Sequence, residues 1–205
     1  MEQDLRCSKP FPHRRKESPN DLQQLIQAAR VQGLSEDTSL PSDVRTLIEA
    51  ADQAQRQLSD QELVRICSAS DADHEVANQL QHRADALVDE ARRRLLSAQP
   101  ALVKPGGALH PSERAAACWR DCWQFFRVII YSYVCGRPAF TDPEGMAALR
   151  QLYQRMNVPL LGLNIALEQL ETLSASELTD AVARTALTAA FRHLRIELNK
   201  SAVKS

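Results

Sequence analysis

The residues best placed to do chemistry are Cys118, Asp121 and Cys122. Their i, i+3, i+4 spacing puts a thiol, a carboxylate and a second thiol on one face of a helix. Phe126, Ile129, Ile130 and Tyr133 continue roughly that face, so a thiol and a carboxylate project from an otherwise apolar side. Arg120 lies off the face, yet its long side chain reaches groups beside it. Three readings of Cys118 stand open. It is a buried free cysteine serving as a small hydrophobe, a metal ligand with Cys122, or the attachment point of a covalent ligand. The metal reading is weakest, because two thiols four residues apart lack two further ligands at any recognised spacing.

The elements that must position these groups read as helices. Ala, Leu, Gln, Glu and Arg dominate the 205 residues, and only six glycines interrupt them. A helix is expected over Asp21 to Val31, ended by Gly33, with a linker from Ser35 to Pro41. From Ser42 the pattern is nearly continuous helix. Ser59 with Glu62 forms a capping box for the next element. A long helix is expected from Asp73 to Ser97. Pro100, Pro105, Gly106 and Gly107 mark a loop. The central helix follows Pro111 and ends before Gly136. Thr141 with Glu144 caps a helix to Met156, Pro159 separates the next one to Thr172, and Ser174 with Glu177 caps a last one to Asn199. No segment alternates as a strand does, so no sheet is expected. Short helices without heptads point to a globin-like pack.

Composition narrows the function. The net charge of −1 gives no field that draws the chain to nucleic acid or an anionic membrane. The most apolar stretch, Phe125 to Cys135, contains Arg127 and is too short to cross a bilayer. Five cysteines at irregular spacing, with no apolar leader before them, read as reduced thiols in a cytosol-like compartment. No nucleophile–base pair, metal-ligand set or phosphate-cradling loop suggests an enzyme; Gly106-Gly107 is a helix-entry turn. His82 and His193 read as exposed or satisfied residues, and no histidine suggests a haem site.

One stretch carries a resemblance. Pro105-Gly106-Gly107 is followed by Ala117-Cys118-Trp119-Arg120-Asp121, then Arg127, Tyr131 and Gly136. Leu149-Arg150-Gln151-Leu152-Tyr153 and Asn157-Val158-Pro159 continue the register, and Ala51-Asp52 lines up upstream. Together these resemble the chromophore-binding region of phycobiliproteins, over about Ser42 to Lys200. The resemblance implies an all-α, globin-like phycobilisome domain over residues 42–200. Before it stands an N-terminal extension, 1–41, partly disordered with one short helix, and after it a tail, 201–205. It implies a linear tetrapyrrole, phycocyanobilin, joined by a thioether at Cys118. Asp121 then accepts hydrogen bonds from the inner pyrrole nitrogens, and Arg120 pairs with propionates. Asp52, Arg127 and Tyr131 resemble residues of the family's subunit interface, with an internal salt bridge of Arg127 as the competing reading. The implied partners are other phycobiliprotein subunits or linkers, in a hetero- or homodimer, on the cytoplasmic side of the thylakoid membrane without insertion into it.

The chain also departs from the family. Ala108 replaces a frequent asparagine, His110 a tyrosine and Trp123 an aspartate; Gln57, Gln124 and Phe125 stand where tyrosines are common. No cysteine follows Cys135, so a second pigment site is not expected. Two functions are therefore carried forward. One is a light-harvesting or energy-transfer chromoprotein. The other is an assembly, degradation or regulatory protein of the phycobilisome on the same fold, without pigment.

Overall fold

A computed structural model describes residues 19–200. Among the described residues the chain forms eight α-helices, two short 3-10 turns and no strand. The helices are α1 (Pro19–Ala28), α2 (Ser42–Gln53), α3 (Asp60–Cys67), α4 (His74–Ala98), α5 (Ser112–Val134), α6 (Pro143–Arg155), α7 (Leu160–Ser176) and α8 (Ala181–Asn199). The all-helical expectation is met. The expected disorder near the start and the C-terminal tail fall on residues 1–18 and 201–205, outside the described residues.

Helix α5 is the axis of the molecule. It packs against α4, α7 and α8, and every residue from Phe125 to Val134 is buried. A helix enclosed on all sides must be apolar on all sides, which explains the run Phe125-Phe126-Arg127-Val128-Ile129-Ile130. Phe126 stacks on Phe191 of α8 with ring centroids 6.0 Å apart. Arg127 and Ser132 are the polar exceptions. The Ser132 hydroxyl donates to the Arg137 carbonyl at 2.7 Å, whereas Arg127 belongs to the site described below.

The caps show where local signals hold and where they slip. Ser59 and Glu62 form the expected capping box on α3. Asp142, not Thr141, caps α6, accepting from Gly145 N at 2.5 Å. The Thr141 hydroxyl is instead hydrogen-bonded to His193 Nε2 at 2.8 Å. Ser174 stays inside α7 and donates back to the Leu170 carbonyl, while Asp180 caps α8. The expected linker is also corrected. Leu40 within it and Leu34 just before it are 6% and 1% exposed, so the linker is anchored to the core at both ends. The stretch after α1 crosses α6's leading loop through an isolated bridge between Gln32 and Thr141.

Among the described residues no helix is long and apolar enough to cross a membrane.

Candidate functional site

Cys118, Arg120 and Asp121 all sit on the first half of α5. The preceding loop is closed at Gly107, where a Cβ atom would lie 2.3 Å from the carbonyl oxygens of Ala101 and Leu102. Only glycine permits that approach, and it fixes how the chain enters the helix.

Cys118 and Cys122 form an unequal pair. The Cys122 thiol hydrogen-bonds to the Cys118 sulfur, which lowers the pKa of Cys118 despite burial and raises that of Cys122. The thiolate is the nucleophilic form of a cysteine. Burial, with a smaller push from nearby acidic groups, raises Cys67 to about 11 and Cys135 to about 12. All four are free thiols; Cys7 lies outside the described residues. No group of three or more His, Cys, Asp or Glu side chains among the described residues could hold a metal ion.

Asp121 is half-buried, and burial raises its pKa above the usual carboxylate value. Two things oppose that rise. Tyr153 of α6 donates its hydroxyl to Asp121 Oδ2 at 2.6 Å, and the Arg120 charge lies nearby. Tyr153 is the site residue that spacing misses. It lies 32 positions along the chain, and no local pattern links it to α5. Arg120 is exposed and forms no ion pair among the described residues, so its guanidinium is available to an anion.

A raised pKa has a stability consequence. Protonated Asp121 suits its surroundings, so its favourable contribution is complete below the unfolded-state pKa. That contribution is lost as pH rises through the higher folded-state pKa. At neutral pH the charge is a cost. Asp121→Asn keeps an acceptor for Tyr153 and removes the charge. We expect it to raise the thermal midpoint at pH 7, by about 2–4 °C for each kcal/mol recovered. The variant should also lose the stabilisation that the parent gains as pH falls towards 4. Thermal unfolding across that range checks both.

Behind Asp121 lies a second polar group. Arg127 is 6% exposed. Its Nη2 pairs with Asp52 Oδ1 at 2.7 Å, its Nη1 donates to the Tyr131 hydroxyl at 2.7 Å, and its Nε donates to Gln124. Tyr131 in turn donates to the Arg56 carbonyl. Gln32, fully buried, donates to the other Asp52 oxygen at 3.1 Å. The three residues that resemble interface positions are thus brought together inside one chain. Between this network and the end of α1 is a cleft of about 240 Å³, lined in part by Ala29, Arg30, Val31, Asp121, Arg127 and Tyr153.

The two tryptophans differ. Trp123 is tied to α4 through Nε1 and Asp85 Oδ1 at 2.8 Å. Trp119 is 8% exposed, and its Nε1 is buried without an acceptor. An unpaired buried donor is costly; Trp119 does not line the Asp121 cleft.

The residue types suit a linear tetrapyrrole: a thiol at Cys118, a half-buried carboxylate at Asp121 and an available guanidinium at Arg120, of which Asp121 lines the cleft. The space matches less well. Cys118 is 6% exposed, and the Asp121 cleft is smaller than the roughly 300–1,000 Å³ usual for small-molecule sites. A ligand of that size would need the cleft to widen.

Comparison with known proteins gives the chain a family context. The family model described as phycobilisome protein matches residues 46–198. The R-phycocyanin beta chain of Polysiphonia urceolata is 30% identical over 118 residues, covering 58% of this chain and 69% of that one. The C-phycocyanin beta chain of Galdieria sulphuraria is 33% identical over 97 residues, covering 47% and 56%. That of Pyropia haitanensis is 30% identical over 106 residues, covering 52% and 62%. The matched stretches therefore span between about half and two thirds of these relatives.

Proposed function

This chain belongs to the phycobilisome protein family, and from that premise we propose that it is a light-harvesting or energy-transfer chromoprotein carrying a linear tetrapyrrole at Cys118. The observation that carries the reading is Asp121: a carboxylate held half-buried one helical turn from the Cys118 thiol, at a cost in stability. Such a cost is typical of a group retained for a task.

Each residue then has a role. Cys118 supplies the sulfur. Its S–H adds across a side-chain double bond of the pigment, forming an S–C bond and placing the hydrogen on the adjacent carbon. The addition balances without an oxidant or a leaving group. Asp121 accepts hydrogen bonds from pyrrole N–H groups and favours the protonated pigment, because an opposite charge nearby stabilises a cation. Arg120 pairs with a propionate by a charge-assisted contact. Tyr153 holds the Asp121 carboxylate in orientation. The pigment, phycocyanobilin in this reading, supplies visible absorption. The chain's buried surroundings restrict torsion, so excitation is retained long enough to pass on. The role is binding without turnover. The expected partners are other phycobilisome subunits, on the cytoplasmic surface of the thylakoid.

The test is production of the chain in cells that make phycocyanobilin and an attaching lyase. A denaturing gel stained with zinc should show a fluorescent band at the chain's mass. An unpigmented chain, across lyases of differing specificity, overturns the reading. Co-purification of that unpigmented chain with antenna subunits would support the regulatory alternative.

A further inference from the structure

The cleft over Asp121 is roofed by a segment that is poorly buried on one side of a fixed point and well buried on the other. In α1 and the residues after it, Leu22, Leu25, Ala29 and Val31 are only half-buried, and Ile26 is 47% exposed. The helix has 10 residues, a length at which an isolated helix is marginal in water. It rests mainly on α6. Gln32 and Leu34, by contrast, are 0% and 1% exposed. They are held by Gly33 N donating to the Phe140 carbonyl at 2.7 Å and by Gln32's bond to Asp52. Lifting the first part frees side chains that are already half-exposed, whereas lifting the second opens the core.

Besides α1's packing on α6 and the bond from Asp142 N to the Val31 carbonyl at 2.9 Å, two contacts at Arg30 hold the liftable part down. Arg30 Nη2 pairs with Asp142 Oδ2 at 2.6 Å, with the arginine side chain 42% exposed. A half-exposed pair of this kind contributes about 0.2–1 kcal/mol, so it breaks readily. The other contact is steric fit. The backbone at Arg30 crosses α6 at Gly145, where a Cβ would lie 2.3 Å from the Arg30 carbonyl oxygen. Any larger residue there forces the segment outward.

We infer that Asp21–Val31 is a lid over the Asp121 cleft, latched by Arg30–Asp142 and seated on Gly145, which lifts to admit the tetrapyrrole and closes over the site in its absence. The inference rests on the chromoprotein reading, and it accounts for a site whose groups suit a pigment while its volume does not. The closed lid shields Asp121 and Arg127 from water before the pigment arrives.

The test uses the full chain with a reporter thiol, Val128→Cys, which replaces a cleft-lining residue that is 2% exposed. Arg30→Ala removes the latch. Gly145→Ala removes the seat, and alanine is the better helix former, so α6 should keep its structure, which circular dichroism checks. In pigment-free protein, maleimide labelling at position 128, read peptide by peptide, should be at least tenfold faster in either variant than in the reporter alone. Attachment of phycocyanobilin with its lyase should be at least threefold faster. Equal labelling in all three forms overturns the lid. Faster labelling with unchanged attachment overturns its control of pigment entry. Faster labelling with no attachment in any form overturns the chromoprotein reading and the control that rests on it, and supports a lid over the cleft itself.

Discussion

A chain carrying Cys118→Ala, made beside phycocyanobilin and a lyase that pigments the parent, runs on a denaturing gel without zinc fluorescence. The loss is expected to be complete, because no other described thiol is equipped to take over. Cys122 is the nearest candidate, yet its hydrogen bond to Cys118 and its burial both raise its pKa. Cys67 and Cys135 are pushed up to about 11 and about 12. At pH 7 a thiol with a pKa near 11 is about one part in ten thousand thiolate. Cys122→Ala separates nucleophile from helper. It removes the hydrogen bond that lowers the Cys118 pKa, so attachment should slow without being abolished. A thermal melt of each variant shows that the fold survives the small change in volume.

The largest expected effect on stability comes from Asp52→Ala. This change strands the Arg127 guanidinium at 6% exposure with its charge unpaired, and it leaves Gln32 Nε2 only the longer bond to Ser35 Oγ at 3.4 Å. Breaking a buried pair from one side costs about 3–5 kcal/mol. At this chain length that lowers the thermal midpoint by about 6–20 °C. The companion change Asp52→Ala with Arg127→Met removes both charges and should recover much of the loss, since desolvation no longer goes uncompensated. Thermal unfolding of the two forms and the parent measures the recovery. A double variant no more stable than the single one would mean that the network's hydrogen bonds to Tyr131 and Gln124 matter more than its charges.

Sequence spacing reveals some of this architecture and misses the rest for identifiable reasons. The i, i+3, i+4 arrangement of Cys118, Asp121 and Cys122 is a property of one helix, so it is readable without a structure. The long apolar periodicities of α4 and α5 are readable for the same reason. Thr141 misleads as a cap because Pro143 opens the helix, which makes Asp142 the residue just outside it. Ser174 misleads because a serine hydroxyl also bonds back within a helix. The stretch from Ser35 to Pro41 reads as a linker from its polar composition, yet Leu34 and Leu40 anchor it. Nothing local records that α1 returns to α6, or that Tyr153 meets Asp121. Those contacts belong to the tertiary fold. The Asp52–Arg127 pair is intermediate: the need of a buried arginine for a partner is legible, but whether that partner lies in the same chain is not. Here it does, so any subunit interface at this face must form around a network that is already satisfied.

The most direct measurement is peptide mapping of the pigmented chain by mass spectrometry. Digestion of protein from bilin-producing cells should yield the peptide around Cys118 heavier by one intact phycocyanobilin, with Cys122 in that peptide free to react with iodoacetamide. A native-mass Cys118 peptide from coloured protein, with the pigment found on another cysteine or on none, would contradict the assignment.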